Sequence, residues 1–307
     1  MSRRKHQPTR HPQRSQQDSR DPTGNRPQTA KFQPERAPGR PGETAPRAAP
    51  ESRRPRPGSA RSSSSSSGAV WLYGSHACLA ALANPQRYCR RLVLTREMQA
   101  ELADRLPAQP QPEIADKARL DSLLPPGAVH QGVALQVEPL DDPGVESLQQ
   151  PSNGAETEIV LALDQVTDPR NVGAILRSAA AFGVRALIVT DRHAPEATGA
   201  MAKAASGGLE VVPMLRVTNL VRALDLLAGY GFWRVGLDGE AERELAQAVS
   251  GVKRLVLVMG AEDEGLRRLT REHCDFLAKL PMTGAVESLN VSAAAAIALY
   301  EAARRQT

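Results

Sequence analysis

From residue 158 onward, strand-like apolar runs alternate with helix-like stretches, and this alternation constrains the fold more than any other feature of the chain. Strands are predicted over 159–163, 186–190, 233–237 and 255–259, and helices over about 171–182, 218–228, 266–273 and 288–303. A βαβα order of this kind predicts the α/β class, with a mostly parallel sheet covered by helices on both faces. Ligands of such sheets bind beyond the carboxyl ends of the strands. The polar segments that follow the strands are therefore the places to look for chemistry.

Upstream, residues 70–138 read as a small mixed α/β unit. Val133 to Val137 alternates at period two and Leu92 to Leu94 is a second strand. Ser75 is a candidate N-cap for a short helix over 76–83. Residues 139–157 are polar and turn-rich and read as a linker. The first 68 residues hold 11 of the 24 prolines, the run Ser62 to Ser67, and one aromatic residue, Phe32. Such a segment cannot offset its ordering entropy by burial, so it reads as a disordered arm. With 15 Lys+Arg against 5 Asp+Glu, the arm carries the basic character of the chain and leaves 69–307 at a net −5. A basic arm suits RNA phosphates through counterion release, or serves only to solubilise. Cys78, Cys89 and Cys274 are scattered without CxxC spacing, which argues against a zinc site or disulfide framework and fits the cytoplasm. No apolar run reaches membrane-helix length.

Three segments carry polar residues in notable order. In Asp168-Pro169-Arg170-Asn171-Val172-Gly173-Ala174-Ile175-Leu176-Arg177, Asp168 suits an N-cap and Pro169 the first helical position. Asn171 and Arg177 stand six residues apart and so fall on different stripes, and Arg177 taken alone reads as a solvated helix arginine. In Met259-Gly260-Ala261-Glu262-Asp263-Glu264-Gly265-Leu266, Gly260 admits close backbone approach and Gly265 a tight turn. The three adjacent acids supply too few converging oxygens for a hard cation, so no metal is expected. In Ser288-Leu289-Asn290-Val291-Ser292, Ser288 is the candidate N-cap and the alanines at 293–296 favour close packing. No GxGxxG follows a strand, and His76, His130 and His193 form no triad-like pattern.

Taken in this order, the three segments resemble the signature motifs of the SpoU/TrmH family, AdoMet-dependent enzymes that methylate the ribose 2′-hydroxyl of RNA. The resemblance implies a C-terminal trefoil knot, a homodimer and S-adenosyl-L-methionine as cofactor. It implies that Arg177 engages the ribose hydroxyl, with Asn171, Glu262, Ser288 and Asn290 completing the active site, and that Gly260, Leu280 and Leu289 hold the adenosyl group. Asp263 departs from the pattern, since relatives often have Gly there. A guanidinium with a pKa above about 12 is a poor base, so Arg177 fits stabilisation of the developing alkoxide better than proton removal.

Tyr73-Gly74-Ser75-His76-Ala77 and Gly127-Ala128-Val129-His130-Gln131-Gly132-Val133 resemble the start and end of the ribosomal-protein-like substrate-binding domain of the ribosomal RNA members. Residues 217–220 and 268–274 resemble the subset that methylates a guanosine in large-subunit (23S) rRNA. The expected partners are that rRNA and a second copy of the chain, with no membrane. The candidate RNA contacts are Arg87, Arg90 and Arg91 beside Tyr88, together with His130. A tRNA ribose methyltransferase and a non-catalytic RNA-binding assembly factor are the competing readings.

Overall fold

The computed structural model describes residues 68–152, 157–192, 195–262, 264–285 and 288–304. The Pro-, Arg- and Ser-rich arm, apart from Gly68, lies outside the described residues, as do His193 and Asp263.

The upstream unit runs β1 (Val70–Tyr73), α1 (Ser75–Ala83), β2 (Cys89–Leu94), α2 (Arg96–Leu102), β3 (Pro112–Ile114), α3 (Lys117–Leu123) and β4 (Val133–Val137). Its sheet has the order β1-β4-β2-β3, antiparallel except for the β2/β3 pair. The alternation in β4 has a direct cause. Val133, Leu135 and Val137 face the main core while Ala134 faces a second, smaller one. Ser75 is not the N-cap of α1. Gly74 takes that position with φ +90°, and Ser75 is already helical. The helices α2 and α3, not anticipated from the sequence, are capped by Thr95, which accepts from Met98 N, and by Asp116, which accepts from Arg119 N.

The downstream unit runs β5 (Glu158–Asp164), α4 (Pro169–Ala181), β6 (Ala186–Thr190), α5 (Gly199–Ala205), α6 (Gly208–Val211), β7 (Met214–Val217), α7 (Leu220–Gly229), β8 (Trp233–Leu237), α8 (Leu245–Ala248), β9 (Arg254–Gly260), α9 (Arg268–Glu272), β10 (Phe276–Ala278) and α10 (Val291–Arg304). The sheet has the order β10-β8-β9-β5-β6-β7, and every neighbouring pair is parallel. Side chains of β5 divide by parity. Ile159, Leu161 and Leu163 meet α4 and α10, whereas Val160 and Ala162 meet α7. Helices thus cover both faces, as the βαβα order requires.

The described part of the segment read as a linker, up to residue 152, joins this packing. Its 3₁₀ turn Val145–Leu148 buries both end residues beneath α7. Beyond it, Glu158 forms a buried node at the start of β5, accepting from Ser152 N, Arg185 and Arg254. Burial raises the pKa of this carboxyl, but the Ser152 hydrogen bonds and the two guanidinium groups outweigh it and hold the group below the usual carboxylate range.

Candidate active site

The carboxyl ends of β5, β9 and β10 each lead into one of the three motif segments. After β5, Asp168 caps α4 by accepting from Arg170 N at 2.8 Å, which puts Asn171 in the first turn. After β9 the chain doubles back tightly. Gly265 N donates to Ala261 O at 3.0 Å, and a Cβ on Gly260 would stand 2.0 Å from the Gly265 carbonyl carbon. Gly260 is therefore required by the loop itself, a stronger reason than ligand approach. Leaving the loop, Arg267 donates through Nε (2.7 Å) and its backbone N (3.1 Å) to the fully buried Asp164 at the end of β5. Sequence reasoning missed this pair. Its one signal was an acid closing an otherwise apolar strand.

The doubled-back loop presents Glu262 to the start of α10. Glu262 Oε1 accepts from Val291 N at 2.9 Å and from Asn290 Nδ2. The same Nδ2 donates to Asn171 Oδ1 at 3.1 Å. The other end of that amide, Asn290 Oδ1, accepts from Ser292 N at 2.9 Å and from its hydroxyl. Asn290, not Ser288, therefore caps α10, because its amide alone serves the helix and both other loops. The two donors face two acceptors, so the amide orientation is fixed by its neighbours. Asn171, Glu262 and Asn290 come together. Ser288 lies exposed and forms no hydrogen bond among the described residues. Arg177 is exposed on α4, about 9 Å along the helix from Asn171 and turned about 120° away from it, and it has no ion pair among the described residues.

Two cavities flank the cluster. One of about 430 Å³ opens over Gln165, Thr167, Asp168, Asn171 and Glu262. The other, about 280 Å³, lies between the end of β10 and α10 and is walled by Leu280, Met282, Leu289 and Ile297. Met282, Leu289 and Ile297 are exposed apolar side chains. The expected adenosyl-binding residues Leu280 and Leu289 thus share an apolar pocket suited to a flat heteroaromatic ligand, while Gly260 is absent from its lining.

Two of the expected RNA contacts are corrected by burial. Arg87 is 9 % exposed and gives Nε and one terminal nitrogen to Glu210 and the other to Glu138 O. His130 is 4 % exposed, with Nδ1 accepting from Gly132 N and Nε2 standing 3.2 Å from Asp121 Oδ1. Arg90 and Arg91 do lie at the surface, paired with Glu138 and Glu113, with Arg91 also over the Trp71 ring and Tyr88 exposed beside them.

A parallel α/β sheet with three motif loops meeting beyond its strands defines a class, and the sequence comparisons agree with it. Residues 158–300 match the SpoU rRNA Methylase family, and residues 71–143 match the RNA 2′-O ribose methyltransferase substrate-binding family. The chain belongs to the SpoU rRNA methylase family. It is 43 % identical over 242 residues to the 23S rRNA (guanosine-2′-O-)-methyltransferase RlmB of Photorhabdus laumondii, covering 77 % of this chain and 98 % of that protein. The corresponding protein of Pseudomonas putida is 42 % identical over 242 residues, covering 76 % and 96 %. In fold, the chain is similar to the SpoU methyltransferase AviRb of Streptomyces viridochromogenes, solved in complex with AdoMet. The TM-score is 0.65 at 24 % identity, over 80 % of this chain and 94 % of that one.

Proposed function

We propose that this protein transfers a methyl group from S-adenosyl-L-methionine to the ribose 2′-hydroxyl of a guanosine in 23S rRNA. The observation that carries the reading is the convergence of Asn171, Glu262 and Asn290, from three loops, beside an apolar pocket. Leu280 and Leu289 would hold the adenosyl group, and the bound cofactor supplies an electrophilic methyl. Asn290 and Glu262 hold the loops in register at the rim of the larger cavity. Arg177, without an ion pair among the described residues, offers a cation whose attraction grows as the ribose oxygen becomes an alkoxide, while Ser288 orients the ribose.

The reading includes a homodimer and the knotted C-terminal crossing that the family resemblance implies. Exposed Ile297 and Tyr300 on α10 support a covering second copy. RNA reaches the site across the surface bearing Tyr88, Arg90 and Arg91. We place the activity in the cytoplasm. Among the described residues no helix is long and apolar enough to cross a membrane.

The test is transfer of labelled methyl from AdoMet to deproteinised 23S rRNA and to bulk tRNA, followed by mapping of the modified nucleotide. Label on a guanosine ribose of 23S rRNA is the expected result. Label confined to tRNA, or to a base, overturns the reading.

A further inference from the structure

Glu210 lies on α6, in the downstream unit, yet its carboxylate serves the upstream one. It accepts from Asn84 Nδ2 at 2.8 Å and from Arg87 at 3.0 and 2.6 Å, all from the α1–β2 connection. The pair is buried, with both side chains no more than 5 % exposed. Removing one partner from such a pair strands the other charge in a dry interface, so the contact holds firmly or fails outright.

The same short helix leans on the site. A Cβ on Gly208 would stand 2.6 Å from Leu176 O and 3.1 Å from Arg177 N, so α6 rests directly on the peptide that joins Leu176 to Arg177. The positive φ of Ser206 and Gly207 turns the chain sharply between α5 and α6 and gives α6 this seat. One line of contacts therefore runs from the α1–β2 connection through Arg87 and Glu210, two residues along α6, to the backbone of Arg177.

We propose that Arg87 and Glu210 are positioning residues: their ion pair clamps the substrate-binding region to α6 and so sets where a bound RNA ribose meets Arg177. This inference rests on the methyltransferase reading given above. Methyl transfer should depend on the clamp, whereas cofactor binding, at Leu280 and Leu289 beside α10, should not.

Two variants of the full chain test it, with a pair of Arg87 variants as a control. Glu210→Gln keeps the shape and removes the charge, and Gly208→Ala displaces α6 from the Arg177 turn while leaving the ion pair. Four quantities are read: kcat and KM on 23S rRNA, AdoMet Kd, and the distance between dyes placed on the upstream unit and on α9. Glu210→Gln should widen the distance distribution and lower kcat tenfold or more, with AdoMet Kd within twofold. Gly208→Ala should lower kcat similarly with the distance unchanged. Restoring charge with Arg87→Lys instead of Arg87→Met should recover part of kcat. An unchanged distance distribution in Glu210→Gln, or kcat within twofold of the parent in either folded variant, overturns the proposal. Should Gly208→Ala fail to fold, Glu210→Gln decides alone. If the parent methylates no RNA, the methyltransferase reading fails, and the distance measurement still judges the clamp.

Discussion

Asn290→Asp tests the convergence of the three loops in a way that a deletion cannot. The substitution is isosteric, and Asp caps a helix as well as Asn does, so the bond from Ser292 N survives. The change falls on the other oxygen. Where Nδ2 donated to Glu262 Oε1 and to Asn171 Oδ1, an acceptor now faces two acceptors. Unit charges about 4 Å apart repel by about 4 kcal/mol at an effective dielectric of 20 and about 1 kcal/mol in water. The exposed site lies toward the lower figure. Loss of the charge-assisted hydrogen bond adds about 1.5 kcal/mol or more, giving a destabilisation of about 2–4 kcal/mol at pH 8.

Two facing carboxylates escape this cost by sharing a proton. The variant therefore binds more protons when folded, and its penalty should shrink as pH falls from 8 toward 5. Asn290→Ala loses the cap, about 1 kcal/mol, and the same donor bonds without repulsion, so its cost should be similar at pH 8 but flat with pH. Urea denaturation of the parent and both variants at pH 5 and 8, alongside single-turnover methyl transfer, measures these quantities. If the deficit of Asn290→Asp ignores pH, or matches that of Asn290→Ala at both pH values, the three-way junction does not exist in solution.

Arg177→Ala should leave AdoMet affinity within a few-fold and remove most methyl transfer, because its interaction grows only as the alkoxide forms; an unchanged single-turnover rate would refute that role. Glu158→Gln should cost about 3 kcal/mol at pH 7, since it strands Arg185 and Arg254. The Glu158 carboxyl is depressed in the folded state, so its contribution is present above about pH 4.3 and lost as pH falls below it, and the gap between parent and variant in denaturation curves should close in acid. Charge reversal of Arg90 and Arg91 together should weaken rRNA binding and flatten its salt dependence, and equal affinity across salt would remove them from the RNA surface. Cys274, its thiol pushed up to about 12 chiefly by burial, should resist thiol reagents at pH 8, which the time course of labelling in the native protein will show.

The sheet was legible because its strands are apolar runs of ordinary length: β6 and β8 begin and end where the sequence placed them, and β5 and β9 are one residue longer at each end. The stretch from Gly199 to Val211 was not, because helices of seven and four residues are too short to show an amphipathic period. Arg87 looked like a surface arginine for a related reason. Nothing local announces a carboxylate 123 residues further along the chain. The active-site residues were named from motifs, but their division was not foreseeable. Ser288 and Asn290 are equally good caps in isolation, and only the arrival of Glu262 and Asn171 selects the second.

The double duty of Asn290 bears on how the protein matures during synthesis. Helix α10 follows every other described element in chain order, yet its cap is the residue on which the two earlier loops depend. A nascent chain that has made its whole parallel sheet still holds Glu262 and Asn171 without their common partner. The three loops therefore meet only once the closing helix has left the ribosome and seated.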